Sequence, residues 1–211
     1  MTPKLLTEFI GTFFLVLTVG LTVLAQSPFA PLAIGCSLMV MVYMGGHVSG
    51  GHYNPAVSLG VFLRGKLDGK SLGAYWMVQL AGAIAASLIV YWLMGTTFST
   101  APSESHPLSH AVLVEFLFTF ALVLVVLNTA TASATAGNSY YGLAIGFTVV
   151  VGAFAGGPIS GAMNPAVGIG PMIVNAVLGG GPIIRAWVFL LGPFLGSWAA
   201  AQVFRIQHPG D

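Results

Sequence analysis

The sequence contains the tetrapeptide Asn-Pro-Ala-Val twice, at Asn54–Val57 and at Asn164–Val167. Asparagine is a favoured N-cap and proline suits the first helical position, so each copy predicts the start of a helix. An asparagine amide can also donate hydrogen bonds to the oxygen of a small molecule, and a helix N-terminus carries roughly half a positive charge. Both copies are therefore suited to orienting neutral polar molecules and repelling cations.

Two glutamates, Glu8 and Glu115, lie inside long apolar stretches. A carboxylate within a membrane is costly, and by default it indicates a function. One interpretation is a proton relay. The other is a structural acceptor for the glycine-rich segment that precedes each tetrapeptide. The matching positions of the two glutamates in the two halves favour the structural interpretation.

The histidines and the cysteine give no sign of a metal or catalytic centre. His47 and His52 precede the first tetrapeptide without a neighbouring carboxylate or cysteine, so we interpret them as hydrogen-bonding loop residues. The single cysteine, Cys36, excludes a disulfide framework. No nucleophile–base pair occurs in the apolar stretches. We therefore expect no enzyme, and no bound metal or cofactor.

The composition places these residues in a membrane protein. Of 211 residues, 56% are hydrophobic and 5% are charged, whereas soluble domains carry about 25% charged residues. So few polar groups cannot cover the surface of a soluble monomer, which excludes a cytosolic enzyme. The formal net charge of +1 offers no basic surface to the phosphates of a nucleic acid.

Charged residues divide the chain into apolar stretches, and a helix needs about 20 apolar residues to cross a bilayer. The sequence predicts six spans, at about 5–25, 30–46, 71–94, 109–130, 140–156 and 184–206. Two further apolar stretches, 54–63 and 164–176, are too short to span. The predicted fold is thus an all-α membrane protein with six transmembrane helices and two re-entrant half-helices.

The two halves of the chain resemble each other, which predicts one channel domain built from two repeats. The repeats cover about 1–100 and 107–211, and their matching segments are Glu8–Phe13 with Glu115–Phe120, Leu32–Gly35 with Leu143–Gly146, and the two tetrapeptides. Each repeat holds three spans, and an odd number inverts the second repeat relative to the first. The half-helices then enter from opposite sides, and their N-termini meet near the midplane.

Basic residues predict the orientation, because cytoplasmic loops carry an excess of Lys and Arg. Six spans place both termini on one side, together with five of the six basic residues: Lys4, Arg64, Lys66, Lys70 and Arg205. Only Arg185 falls on the other side. We therefore expect both termini in the cytoplasm and the protein in the plasma or inner membrane.

With these features the sequence resembles an aquaporin of the major intrinsic protein family over essentially its whole length. The motifs are Asn54-Pro55-Ala56 and Asn164-Pro165-Ala166, the lead-in Ser49–Tyr53, Glu8-xxx-Thr12 and Glu115-xxx-Thr119, and Gln79-xx-Gly82 with Pro193-xx-Gly196. The resemblance implies a homotetramer whose subunits each pass water or small uncharged solutes. It also implies pore-facing backbone carbonyls, expected at Gly50, Gly51, His52, Tyr53, Ser160, Ala162 and Met163.

The chain departs from the family at the narrowest part of the pore. Family members usually carry arginine directly after the second box, where this chain has Val167. Counting from the boxes places the other three filter positions at Ile34, Gly152 and Gly161. Such a filter is wide and lacks fixed donors, which favours an aquaglyceroporin-like or metalloid-permeable channel. Glycerol, urea, arsenous acid and boric acid are then expected to pass with water.

Two rival classes share some of these features. A secondary transporter also uses inverted repeats and broken helices, but it needs a coupling ion, and Glu8 and Glu115 are the only candidate carboxylates. A structural junction protein with a closed pore would need extracellular loops suited to adhesion, and the predicted loops are short. The sequence favours the channel.

Overall fold

The computed structural model describes residues 2–211, and helices are the only regular secondary structure in that part of the chain. The helices are α1 (Pro3–Leu24), α2 (Ala30–Ser49), α3 (Pro55–Leu63), α4 (Gly69–Met94), α5 (Leu108–Val126), α6 (Tyr141–Gly156), α7 (Pro165–Leu178) and α8 (Val188–Gln207). A π-helical turn, Leu127–Thr131, extends α5, and a short 3-10 turn follows at Ser133–Thr135. The all-helical fold class predicted from the sequence is confirmed.

Local sequence explains where several helices begin and end. The Asp68 side chain caps α4 by accepting from the Ser71 N–H at 2.9 Å. Gly50 and Gly95 end α2 and α4 in the left-handed conformation, with φ of 96° and 69°, which glycine adopts without steric cost. Prolines occupy the first turns of α1, α2, α3 and α7.

Five helices are long and apolar enough to cross a membrane: α1, α2, α4, α8, and α5 with its π turn. The remaining predicted span, at 140–156, corresponds to α6. This helix has 16 residues, a length of about 24 Å at 1.5 Å per residue. This is shorter than the ~30 Å hydrocarbon core of a bilayer. The two predicted half-helices are α3 and α7, with 9 and 14 residues.

Equivalent helix pairs of the two repeats cross closely at glycines. A Cβ added to Gly82 on α4 would lie 2.6 Å from the Phe9 carbonyl oxygen, and one on Gly196 of α8 would lie 2.5 Å from that of Phe116. On α2 and α6 the relation is reciprocal, since a Cβ on Gly35 would meet the Gly146 oxygen at 2.5 Å, and the converse distance is 2.6 Å. Such reciprocal contacts are those of two elements related by a two-fold axis.

The helical bundle has two ends. We call the end that carries Lys4 and Asp211 the terminal face, and the end that carries Arg185 the opposite face. The terminal face carries Lys4, Arg64 and Asp211, with Asp211 bound to Arg64 at 2.9 Å. The opposite face carries the α4–α5 connection and Arg185, whose guanidinium lies 3.5 Å from the Glu104 carboxylate. Helices α3 and α7 begin between the two faces and run outward in opposite directions.

Candidate functional site

Both half-helices begin with the same backbone geometry. Tyr53 and Met163 have positive φ of 48° and 49°, and the asparagine after each has φ of −158°. The Asn54 Oδ1 accepts from the Ala56 N–H at 2.8 Å, and the Asn164 Oδ1 accepts from the Ala166 N–H at 2.9 Å. Each asparagine therefore caps its own helix through its side-chain oxygen.

The two caps are also bonded to each other across the repeat boundary. The Asn54 amide donates to the Met163 carbonyl at 2.8 Å, and the Asn164 amide donates to the Tyr53 carbonyl at 2.9 Å. These reciprocal bonds bring the N-termini of α3 and α7 together. Each amide has two N–H groups, so one remains available to a molecule beside it.

The buried carboxylates hold the segments that lead into the boxes. Glu8 accepts from the Ser49 hydroxyl at 2.6 Å, the His52 N–H at 2.9 Å and the Tyr53 N–H at 2.7 Å, and from the Gln79 amide at 2.8 Å. Both carboxylate oxygens of Glu8 therefore accept hydrogen bonds from protein donors. This favours the structural interpretation of Glu8 over the proton relay.

Glu115 occupies the equivalent place in the second repeat. It accepts from the Ser160 hydroxyl at 2.6 Å, the Ala162 N–H at 2.8 Å and the Met163 N–H at 2.6 Å. Both glutamates are completely buried. Because every donor comes from the irregular segment before a half-helix or from a packed helix, both carboxylates fix the backbone that the boxes depend on.

A cavity of about 280 Å³ runs from the opposite face to the two asparagines. Residues of all three kinds predicted for a pore border it: the asparagines, the filter positions Ile34, Gly161 and Val167, and the loop residues Gly51, His52, Ser160, Ala162 and Met163. Aliphatic side chains complete the wall: Leu15, Val19, Leu38, Val57, Leu122, Val126, Ile145 and Val149. The described lining contains no Asp, Glu, Lys or Arg.

The remaining predicted pore residues lie elsewhere. Gly50 borders a second cavity on the terminal face. Tyr53 is fully buried, with its ring against Gly11 and its hydroxyl donating to the Met41 carbonyl at 2.9 Å. The prolines and alanines of both boxes are buried behind the asparagines: Pro55, Ala56, Pro165 and Ala166.

The filter position predicted at Gly152 needs a correction. A side chain at Gly152 would run into the sulfur of Met163 and into Phe118, whereas its neighbour Ala153 lines the cavity. The reason is loop length. The serine bonded to the buried glutamate comes five residues before the first asparagine but only four residues before the second, at Ser160. The residue that faces the cavity at this level therefore lies 11 residues before Asn164, at Ala153, rather than 12 residues before it, at Gly152.

The α4–α5 connection also contributes to this cavity, which the sequence did not predict. Ser99, Thr100 and Ala101 line it, and the Thr100 hydroxyl donates to the carbonyls of Gly168 and Val167 at 2.9 and 3.2 Å. The Ser103 N–H donates to the Ile159 carbonyl at 2.9 Å. This connection thus braces the first turn of α7 and the position of Val167. Only its run of small polar residues could have indicated the contact.

The second cavity, of about 410 Å³, opens on the terminal face. It is lined by Lys4, Gly46, His47, Val48, Ser49, Gly50, His52, Val61, Lys66, Leu67, Tyr75, Val126, Ala130 and Thr131. His52 borders both cavities, and its Nδ1 lies 3.0 Å from the Ser58 hydroxyl. The two cavities therefore both border His52, beside the paired asparagines, one from each face, and we refer to them together as the route.

Among residues 2–211 there is no group of three His, Cys, Asp or Glu side chains close enough to share an ion. The route offers carbonyl oxygens, amide N–H groups and apolar walls, which suit a neutral polar molecule that exchanges hydrogen bonds as it moves.

Comparison with known proteins agrees with this geometry. The family model described as major intrinsic protein matches residues 1–204. Aquaporin NIP1-4 of Oryza sativa subsp. japonica is 36% identical over 98% of this chain and 78% of its own length. Nodulin-26 of Glycine max is 37% identical over 99% of this chain and 79% of its length. The crystal structure of an aquaglyceroporin from Plasmodium falciparum shares the fold, with a TM-score of 0.86, 24% identity, and coverage of 98% and 97% of the two chains.

Proposed function

The chain belongs to the major intrinsic protein family and is a passive membrane channel for water and small solutes, and we propose that its solutes include uncharged molecules larger than water. Glycerol, urea, arsenous acid and boric acid are the expected members of this class. The observation that supports the proposal is the wall of the cavity beside Val167. Val167 occupies the position where family members usually carry arginine, a charged donor that narrows the pore. The neighbouring positions of the wall are aliphatic or glycine.

The physical argument concerns what a solute meets at that level. Val167, Ile34, Ala153 and Gly161 present no side-chain hydrogen-bond donor. A polar group stripped of water there would pay a few kcal/mol, so a solute passes when the site is wide enough to remain wet. Beyond this level the solute reaches the amides of Asn54 and Asn164, where hydrogen bonds are again available.

We assign the route to one channel domain over 1–211, since both repeats line each part of it. The positive-inside rule supports a cytoplasmic terminal face, because five of the six Lys and Arg residues fall there by the order of the spans. The homotetramer is carried over from the family resemblance. The transporter alternative finds no support at Glu8 and Glu115, since both carboxylates are engaged by protein donors.

The experiment is stopped-flow light scattering on proteoliposomes, comparing water, glycerol, urea and arsenous acid. Val167→Arg should abolish flux of the larger solutes while water flux persists, because a guanidinium narrows the site and adds donors. Val167→Met is the matched control, since it adds length without charge, and it should retain more glycerol flux than Val167→Arg. Equal glycerol flux in wild type and Val167→Arg would overturn the assignment of Val167 to the filter.

A further inference from the structure

The cavity on the terminal face differs from the other in its charge. Lys4 and Lys66 both line it, together with His47 and His52, and no Asp or Glu among the described residues does so. The cavity that contains Val167 has no lysine or arginine in its described lining. The fixed positive charge that borders the route is therefore found at one end only. We call this end, lined by Lys4 and Lys66, the lysine mouth.

The other basic groups near the lysine mouth are already engaged. Arg64 pairs with Asp211 at 2.9 Å and its guanidinium lies 4.8 Å from the Phe204 ring centre. Arg205 donates to the Leu63 carbonyl at 2.7 Å. Lys4 and Lys66, by contrast, form no ion pair within residues 2–211. Their charge is therefore uncompensated at the entrance.

Topology alone does not explain this placement. An excess of lysine on the cytoplasmic side is expected for any membrane protein, but it does not require the lysines to border a pore. Lys70, in the first turn of α4, belongs to the same group of basic residues and does not line the cavity. Lys70 is thus an internal reference for a lysine that serves orientation only.

The end of helix α3 places Lys66 at the entrance. The helix runs from Asn54 outward to the terminal face, so its carbonyl end, with roughly half a negative charge, points toward the lysine mouth. Its last four carbonyls accept hydrogen bonds from the protein, and the last of them, that of Leu63, accepts from the Arg205 guanidinium. Lys66 follows α3 by three residues, and its backbone N–H donates to the Val61 carbonyl at 3.0 Å. A low-dielectric entrance focuses the field of such charges on the passing solute.

We propose that Lys4 and Lys66 are specificity-determining residues that exclude cations at the lysine mouth. The inference rests on the proposed function, because it presupposes a route open to neutral solutes. Cation exclusion is then divided between the helix N-termini at the midplane and two lysines at one entrance.

The test is cation leak through proteoliposomes, followed with a K⁺ gradient, for wild type, the double variant Lys4→Gln/Lys66→Gln, and the control Lys70→Gln. The double variant should leak roughly three- to tenfold faster at low salt, and the difference should shrink in about 1 M salt, where the Debye length falls to ~3 Å. Lys66→Arg, which keeps the charge, should behave as wild type. Glycerol flux in the same vesicles reports that each variant is inserted and open, and Lys70→Gln should match wild type in it.

An unchanged leak in the double variant, with glycerol flux intact, would overturn the role of the lysines and leave the proposed function standing. An equal rise in Lys70→Gln would also overturn it, since the effect would then come from general surface charge. Glycerol flux at the level of protein-free liposomes in wild type would instead contradict the proposed function.

Discussion

Each half-helix start and the buried glutamate that supports it form a junction: Glu8 at the Asn54 junction and Glu115 at the Asn164 junction. Glu8 accepts four hydrogen bonds, whereas Glu115 accepts three. The difference comes from the helix behind each loop. Gln79 of α4 donates to Glu8, but its counterpart on α8 is Pro193, which has no side-chain donor. The two junctions therefore share one backbone plan with different polar support.

The side chains around the two glutamates also differ, and the first repeat again has more polar groups than the second. In the first repeat His52, Ser58 and Gln79 form a connected polar group, with contacts of 3.0 Å from Ser58 to each of the other two. The corresponding positions of the second repeat hold Ala162, Gly168 and Pro193. The two repeats thus share the same helix starts while the buried polar side chains that support them differ.

The largest expected effect is the loss of a buried carboxylate. Glu8→Leu would leave four donors without their acceptor, at about 1–3 kcal/mol for each orphaned group, so we expect at least about 4 kcal/mol of lost stability. Glu115→Leu, with three donors, should cost less. Thermal unfolding in detergent measures both. A larger loss for Glu115→Leu would break the comparison between the junctions.

A smaller effect is expected when only the fourth donor is removed. Gln79→Leu takes one hydrogen bond from Glu8 and one from Ser58, and should lower the unfolding free energy by about 1–3 kcal/mol. The control is Ser87→Ala on the same helix, whose hydroxyl bonds only to the Ala83 carbonyl. If Gln79→Leu and Ser87→Ala unfold alike, the polar support of the first junction is not distinctive.

Neighbouring substitutions on α6 sharpen the assignment of the filter. Gly152→Ser should destabilise the protein by about 1–3 kcal/mol, because the new side chain meets Met163 and Phe118 in a packed region. Ala153→Ser should leave stability nearly unchanged and alter the glycerol-to-water permeability ratio, because its hydroxyl enters the cavity. Thermal unfolding and light scattering on the pair separate the two roles. The reverse pattern would restore Gly152 as the filter residue.

The smallest effect concerns the terminal ends of the half-helices. Arg64, which is paired with Asp211, is the C-cap of helix α3, whereas α7 has no basic residue in its last turn. Hydrogen bonds from the Ser133 hydroxyl and N–H, with Arg64 adding to them, lower the pKa of Asp211 from 3.8 to about 2. Because the pKa is depressed by folding, this contribution is complete above pH ~4 and is lost as the pH falls toward 2.

Asp211→Asn should therefore lower the Tm slightly and by the same amount between pH 5 and 8, with the difference from wild type closing near pH 2. Parallel melting curves of the two proteins across this range measure it. A difference that grows as the pH falls would contradict the assigned sign.

The sequence predicted the features that depend on short, local patterns. The helix starts at Asn54 and Asn164, and the pairing of Glu8 and Glu115 with the loops, follow from capping chemistry and from the repeat. Positions that depend on the path of a loop could not be read in the same way. Ala153 rather than Gly152 lines the cavity, since the second loop is a residue shorter than the first, and Thr100 contacts Val167 from a connection without regular structure. The lysine mouth depends on tertiary contacts between distant segments, which residue spacing alone does not define.

By the proposed function, the cavity beside Val167 conducts uncharged solutes larger than water down their own gradient, without coupling to an ion gradient. The most direct measurement is the glycerol permeability of wild-type proteoliposomes over a wide range of glycerol concentration, with and without imposed ion gradients. For a passive channel we expect a glycerol permeability well above that of protein-free liposomes. The glycerol flux should be proportional to the glycerol concentration and should not depend on the ion gradient. A glycerol permeability equal to that of empty liposomes, or a flux that saturates and follows an ion gradient, would contradict it.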